Sequence, residues 1–155
     1  SLRNEIENKV YQDKIKDLKN LPTLIEKTLL IDNDIQSIAS TFNEAKGSMF
    51  LGRGFSYPIA LEGALKLKEL SYVHAEGYPA GEMKHGPLAL IEDGLPVIIL
   101  APKDKYFEKT ISNMQEIIAR GGKVLLISDK HDDVINENVR FKKTFISLHC
   151  WYGLW

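Results

Sequence analysis

The sequence has only one cysteine, Cys150, among its 155 residues. A single cysteine forms no intrachain disulfide and no cysteine metal cluster. The four histidines, at positions 74, 85, 131 and 149, show no metal-ligand spacing. We therefore predict neither a metal site nor a bound cofactor.

An excess of charge of one sign is also lacking, because 20 Lys and Arg residues stand against 21 Asp and Glu residues. No basic field exists to hold a nucleic-acid backbone, so we expect no nucleic-acid partner. Apolar runs such as 97–100 are far shorter than the roughly 20 residues needed to cross a bilayer, which predicts no membrane span. The first five residues lack the basic-then-apolar layout of a secretory signal, so we expect a cytoplasmic protein.

The N-terminal part of the sequence is helical in pattern. Residues 2–42 are rich in Lys, Glu, Leu and Ile at helical spacing, which predicts two or three amphipathic helices. Pro22 interrupts the pattern, and so does the run Asp32-Asn33-Asp34, which supplies N-cap residues for a helix that continues to Ala39. We interpret residues 1–42 as a helical lead-in.

From Ser48 onward, short apolar runs alternate with helical stretches. The alternation predicts an α/β fold with an open, mostly parallel sheet flanked by helices. Continuous apolar runs at 97–100 and 124–127 are typical of parallel strands that are buried on both faces. The strand candidates are 49–51, 96–101, 123–128 and 141–147, and the helix candidates are 57–73 and 104–120, the second ended by Gly121-Gly122.

A turn with two glycines follows the first strand candidate, in the run Gly52-Arg53-Gly54-Phe55-Ser56. Ligands of open α/β sheets bind at the carboxyl ends of strands, and the start of a helix can hold an anion. The run lacks the third glycine of a dinucleotide fingerprint, which argues against NAD. Tight strand-to-helix turns also use glycine for conformational reasons alone, so the turn does not by itself establish a site.

Glu62, Lys66 and Glu69 share one stripe of the helix candidate 57–73, because they are spaced i, i+4 and i+7. A charged stripe within a largely apolar helix suggests carboxylates that face a cleft, where desolvation raises a glutamate pKa toward that of a useful general base. The alternative is a surface ion pair that only supports the helix. His85 lies in a loop punctuated by Gly86 and Pro87, where a histidine is usually solvated.

Several segments together resemble a known family, the second sugar-isomerase (SIS) half of glucosamine-6-phosphate synthases. They are LGRG at 51–54, YPIALEGALKLKE at 57–69, HAE at 74–76 and GEMKHGPLAL at 81–90. The resemblance extends over about residues 21–146 and implies an SIS fold with flavodoxin-like layering. The family makes glucosamine 6-phosphate from fructose 6-phosphate and glutamine.

The resemblance implies a role for several residues. Glu69 is expected to be the base that moves a proton between adjacent sugar carbons, and Lys66 and Glu62 to support the C1–C2 end of the sugar. His85 is expected to open the sugar ring from a neighbouring subunit, which predicts a homodimer. The substrate-binding residues that we predict at the strand-to-helix turn are Gly52, Arg53, Gly54 and Ser56.

The chain also departs from the family. It contains no counterpart of the Schiff-base lysine, of most of the Ser/Thr cluster that holds the sugar phosphate, or of the glutaminase. We therefore predict a part of the amination and isomerisation module that is inactive alone; the alternatives are a phosphosugar-binding module without turnover and an inactive truncated remnant. The expected organisation is a lead-in at 1–42, an SIS domain incomplete at its C-terminus at 43–148, and an atypical tail at 149–155 that suits a frame change and an early stop.

Overall fold

The computed structural model describes residues 8–129, and every structural statement below refers to that range. The N-terminal part forms α1 (Asn8–Leu29) and α2 (Asp32–Ala39), followed by a 3₁₀ turn at Ser40–Phe42. The α/β part then consists of β1 (Gly47–Gly52), α3 (Ser56–Ser71), β2 (His74–Pro79), 3₁₀ helices at Ala80–His85 and Pro87–Leu90, β3 (Pro96–Leu100), α4 (Phe107–Ala119) and β4 (Lys123–Ile127).

The four strands form one parallel sheet in the order β2-β1-β3-β4. This confirms the predicted parallel α/β fold. Every residue of β3 is buried, as expected of a continuous apolar strand in the middle of such a sheet. The chain leaves β1 toward β2 on one side and returns to β3 on the other, so the order reverses between β1 and β3. Such a switch point opens a crevice at the carboxyl ends of the strands.

Helices cover both faces of the sheet. On one face α3 lies close to β1, since a Cβ added at Gly63 would be 2.9 Å from the Phe50 ring. Side chains alternate between the faces of a strand, so the neighbours of Phe50 point the other way. There, Met49 and Leu51 join a buried core with α4 residues that include Met114. Truncating such a buried side chain to alanine typically costs about 2–5 kcal/mol.

The helical lead-in differs in two details from the prediction. Pro22 does not interrupt the first helix, since α1 continues through it to Leu29. No residue of α1 is buried, so water can satisfy the carbonyl group that Pro22 leaves without a helical partner. The predicted N-cap within Asp32-Asn33-Asp34 is also wrong, because the N-cap residue is Ile31, whose side chain makes no capping hydrogen bond. The Ile31 carbonyl accepts from Ile35 N–H at 3.0 Å, so α2 already begins at Asp32.

The α/β part also contains elements that the sequence did not predict. The strand β2 and the 3₁₀ helix Ala80–His85 lie where no regular element was expected. The helix α4 begins at Phe107 rather than at 104, because the Asp104 carboxylate accepts the N–H of Tyr106 at 2.8 Å and holds a turn there. The strand candidate 141–147 and the tail 149–155 lie outside the described residues.

None of the helices in residues 8–129 combines the length and the apolar character needed to span a membrane.

Candidate functional site

The turn after β1 has a shape that requires glycine. A Cβ at Gly52 would lie 2.1 Å from the backbone oxygen of Ser56, and Gly54 has a φ of +57°. The turn is closed by Ser56 N–H, which donates to the Arg53 carbonyl at 3.1 Å, and by Tyr57 N–H, which donates to the Gly54 carbonyl at 3.2 Å. The conformation of the turn therefore accounts for its two glycines without any ligand.

Three of the four charged residues of α3 form a connected cluster. Lys66 Nζ donates to Glu69 Oε2 at 2.7 Å and lies 3.6 Å from Glu62 Oε1. The hydrogen bond and the charge of Glu69 raise the pKa of Lys66 above its usual value, so the ammonium stays protonated at neutral pH. The side chains of Lys66, Glu62 and Glu69 are 54%, 60% and 49% exposed. The sequence correctly predicted the shared stripe, but the described chain does not build a cleft over it.

His85 is held by the segment that carries it. Met83 is fully buried, and Lys84 Nζ lies 2.9 Å from Glu116 Oε1 of α4. The side-chain amide of Asn113, in the orientation that satisfies its neighbours, donates to the Ala80 carbonyl at 3.1 Å. His85 itself is 74% exposed, with Nε2 3.9 Å from Glu82 Oε2.

The structure does not bring His85 to the cluster on α3. Ala80 and Met83 share the core on the α4 face of the sheet, whereas α3 packs on the opposite face. Glu69 therefore lies on one side of the sheet, and the segment that ends at His85 packs on the other. Of the predicted residues, Glu62, Lys66 and Glu69 meet in one place and His85 stands apart.

A second group of side chains gathers at the switch point, where Arg53, a predicted substrate-binding residue, meets Lys105 and Tyr106, which the sequence did not suggest. The Arg53 guanidinium carbon lies 5.6 Å from the centre of the Tyr106 ring, and Lys105 Nζ lies 5.0 Å from the same centre. Both distances are within the range of a cation–π contact. No local pattern signals this group, because only the pairing of β1 with β3 brings the two loops together.

A cavity in the described part of the chain lies elsewhere. It has a volume of about 390 Å³ and is open to solvent, and its lining residues are Ser40, Phe42, Asn43, Glu44, Ala45, Gly94 and Lys123. Lys123 begins β4, so the cavity lies at the amino ends of the strands, opposite the edge where ligands of open α/β sheets bind. None of the predicted site residues lines it. Among residues 8–129, no group of three or more His, Cys, Asp or Glu side chains has an arrangement that could hold a metal ion.

Comparison with known proteins gives the family. Residues 41–144 match the SIS domain. The glutamine–fructose-6-phosphate aminotransferase [isomerizing] of Bartonella henselae is 57% identical over 116 residues, which is 75% of this chain and 19% of that protein. The protein of the same name from Francisella tularensis is 44% identical over 145 residues, 94% of this chain and 23% of that protein. The chain thus spans about a fifth of the length of the curated relatives that it matches.

Solved structures agree with this family. The C-terminal domain of the glucosamine-fructose-6-phosphate aminotransferase from Francisella tularensis aligns with a TM-score of 0.81 and 45% identity, over 92% of this chain and 39% of that one. A putative phosphosugar isomerase from Salmonella typhimurium aligns with a TM-score of 0.71 over 81% of this chain and 39% of that one, and at 21% identity it supports the fold alone. The chain therefore belongs to the SIS domain family.

Proposed function

We propose that the chain is part of the module that aminates and isomerises fructose 6-phosphate to glucosamine 6-phosphate, with glutamine as the nitrogen donor of the complete enzyme. The observation that carries this proposal is the ion-paired cluster of Glu62, Lys66 and Glu69, because it lies within a segment similar to enzymes named for that reaction. Amino-sugar synthesis, including that of cell-wall precursors, is the process that such a product feeds.

The cluster suits the isomerisation step. One carboxylate takes a proton from a sugar carbon and returns it to the neighbouring carbon, while electrons pass to the adjacent heteroatom. Glu69 is the proposed base. Lys66, kept cationic by Glu69, would stabilise the negative charge that develops on the sugar, and Glu62 would help to position Lys66.

The position of His85 supports a site shared between two chains. A histidine that opens the sugar ring must reach the same sugar as Glu69, yet the segment that ends at His85 packs on the face of the sheet opposite to the helix that carries Glu69. In our proposal His85 acts on the site of a partner chain in a homodimer. The exposure of the α3 cluster agrees with this, because a second surface is needed to exclude water from it.

The remaining parts of the proposal concern the whole protein. The fragment alone is expected to be inactive, since a glutaminase, a first SIS half and a C-terminal lysine belong to the proposed enzyme. The division into 1–42, 43–148 and 149–155 stays a prediction. A cytoplasmic location belongs to the same proposal, because sugar phosphates are intracellular metabolites.

The direct test replaces the matching segment of the Francisella tularensis relative with this chain and then introduces Glu69→Gln into the chimera. Isomerisation should fall by about 10²–10⁴-fold, the usual contribution of a general base, while binding of fructose 6-phosphate changes little. Glu92→Gln is the matched control, because Glu92 is exposed and distant from the cluster in sequence. Equal losses of binding and turnover in the Glu69 variant would remove the base role.

A phosphosugar-binding module without turnover is the second candidate, favoured by the cationic side chains beside the turn at 52–56. Titration calorimetry of the 155-residue chain with fructose 6-phosphate and glucosamine 6-phosphate tests it. Micromolar to millimolar binding without turnover in the chimera supports this candidate. Absence of heat with both ligands would reject it.

A further inference from the structure

Arg53 and Lys105 place two positive charges around one aromatic ring, and neither side chain pairs with a carboxylate of residues 8–129. Both cations lie within 6 Å of one ring centre, so their like charges add to a positive potential there, and the aromatic ring offsets only part of it. An anion bound beside the two cations would lower that potential. The arrangement therefore favours an anionic ligand over an empty surface.

The surrounding backbone holds this cationic pair in place. A Cβ at Gly54 would lie 2.8 Å from the Tyr106 ring, and a Cβ at Gly81 would lie 3.3 Å from the Arg53 guanidinium carbon. Nearby carboxylates fix the second loop, because Asp129 accepts the N–H of Lys103 at 2.6 Å and Asp104 accepts the N–H of Tyr106 at 2.8 Å. The two cations thus project from loops at the carboxyl ends of β1 and β3, where ligands of this sheet type bind.

Distance separates this pair from the cluster on α3. Ser56 and Glu69 are 13 residues apart in α3, which is about 20 Å along the axis at roughly 1.5 Å per residue. The Glu69 carboxylate lies back toward Lys66, which shortens this separation by about one helical turn, roughly 5 Å. A hexose phosphate spans only about 8 Å from C2 to phosphorus at about 1.5 Å per bond. A sugar that reacts at Glu69 therefore cannot place its own phosphate beside Arg53.

We propose that Arg53 and Lys105 form a separate site for the phosphate group of a second ligand, a phosphate monoester or inorganic phosphate. The guanidinium offers a fork of donors that matches phosphate oxygens, and the ammonium adds a point charge. The site combines Arg53, which the sequence suggested as substrate-binding, with Lys105, which it did not suggest. The inference rests on the proposed function only in that Glu69 marks where the reacting sugar lies.

The test is titration calorimetry of the full 155-residue chain in a buffer without phosphate, with inorganic phosphate, fructose 6-phosphate and fructose as probes. Phosphate and fructose 6-phosphate should bind, and fructose should not. Lys105→Ala and Arg53→Ala should each weaken binding by about tenfold or more, as expected for a lost charge-assisted hydrogen bond. Arg120→Ala is the matched control, because it removes an exposed cation at the far end of α4 and should change affinity less than about twofold.

The outcomes separate this site from the proposed reaction. Glu69→Gln and Lys66→Ala should leave phosphate binding unchanged. If they weaken phosphate binding as much as Lys105→Ala does, the anion binds at the α3 cluster, and the separate site is refuted. The reaction proposal would survive that result. Tighter binding of fructose 6-phosphate than of phosphate identifies a phosphosugar, and equal binding identifies the phosphate group alone. No binding up to about 10 mM phosphate, or equal binding of fructose, overturns the inference. Arg53→Lys restores the charge if Arg53→Ala disturbs the fold.

Discussion

Gly52 meets a structural requirement that does not depend on its predicted role in substrate binding. A Cβ there would lie 2.1 Å from a backbone oxygen and 2.7 Å from the nitrogen of Tyr57, and neither atom can move without reshaping the start of α3. Gly52→Ala should therefore destabilise the chain by about 3 kcal/mol or more, at the upper end of overpacking costs. Gly47→Ala is the matched control in the same strand, because its Cβ would meet only an ordinary contact at 3.4 Å. Urea unfolding measures both, and equal losses would contradict the steric argument.

Tyr78 predicts a pH dependence of stability. Its O–H donates to the Glu76 carboxylate, and this hydrogen bond is the main reason that the pKa of Tyr78 is raised above its usual value of 10.0. The unfolded phenol loses its proton near that usual value, so the bond stabilises the folded chain fully below pH 10.0. The contribution is lost as the pH rises through the higher folded pKa.

Tyr78→Phe cannot form this bond, so the variant should be less stable than the parent by about 0.5–1.5 kcal/mol near neutral pH. The difference should shrink as the pH is raised above the usual value of 10.0. Urea unfolding of both chains in neutral and strongly alkaline buffer is the measurement. Tyr72→Phe is the control, since Tyr72 is 93% exposed. A difference that grows with pH would have the wrong sign for this mechanism.

At the scale of elements, the 3₁₀ helix Ala80–His85 depends on α4 for its position. The Asn113 amide donates to the carbonyls of Ala80 and Lys109. Asn113→Ala leaves the Ala80 carbonyl without that donor and should cost about 1–3 kcal/mol. Amide hydrogen exchange should increase in Ala80–His85 more than in β1, because the contact that is lost holds that segment. Ser112→Ala, an exposed neighbour on α4, should leave exchange unchanged.

The elements that the sequence predicted well are those with strong local signals. Continuous apolar runs identified β3 and β4, and helical spacing identified α3. The strand β2 was missed because His74, Glu76 and Gly77 give it neither an apolar run nor β-propensity. Within residues 8–129 it lies at the edge of the sheet, and its extended form depends on pairing with β1, a contact that the local pattern does not encode. Pro22 was misjudged for a related reason, because the cost of a helical proline depends on whether the helix is buried.

The whole molecule determines which site residues meet, and here local sequence reasoning reaches only part of the way. Glu62, Lys66 and Glu69 were predictable because one helix carries all three. Arg53 was predicted as a substrate-binding residue, but its meeting with Lys105 was not, because the two come together only through the order of the strands. The position of His85 relative to Glu69 likewise depends on which face of the sheet each segment covers. Resemblance to a family supplied the proposed roles of these residues, and the fold shows that one chain does not unite them.

A site shared between two chains predicts that mixing two inactive variants restores isomerisation. In the chimera with the Francisella tularensis relative, Glu69→Gln and His85→Asn should each abolish isomerisation as pure homodimers. If His85 acts on the partner's site, a mixed dimer keeps one site in which both Glu69 and His85 are intact. Equal mixing with free exchange of subunits makes half of the dimers mixed, so activity should return to about a quarter of the parent value.

If both residues served the same chain, every site would carry one substitution and no activity would return. Mixing two preparations of the same variant is the control for reactivation by exchange itself. Recovery in the mixed sample alone would show that the isomerising site belongs to the dimer.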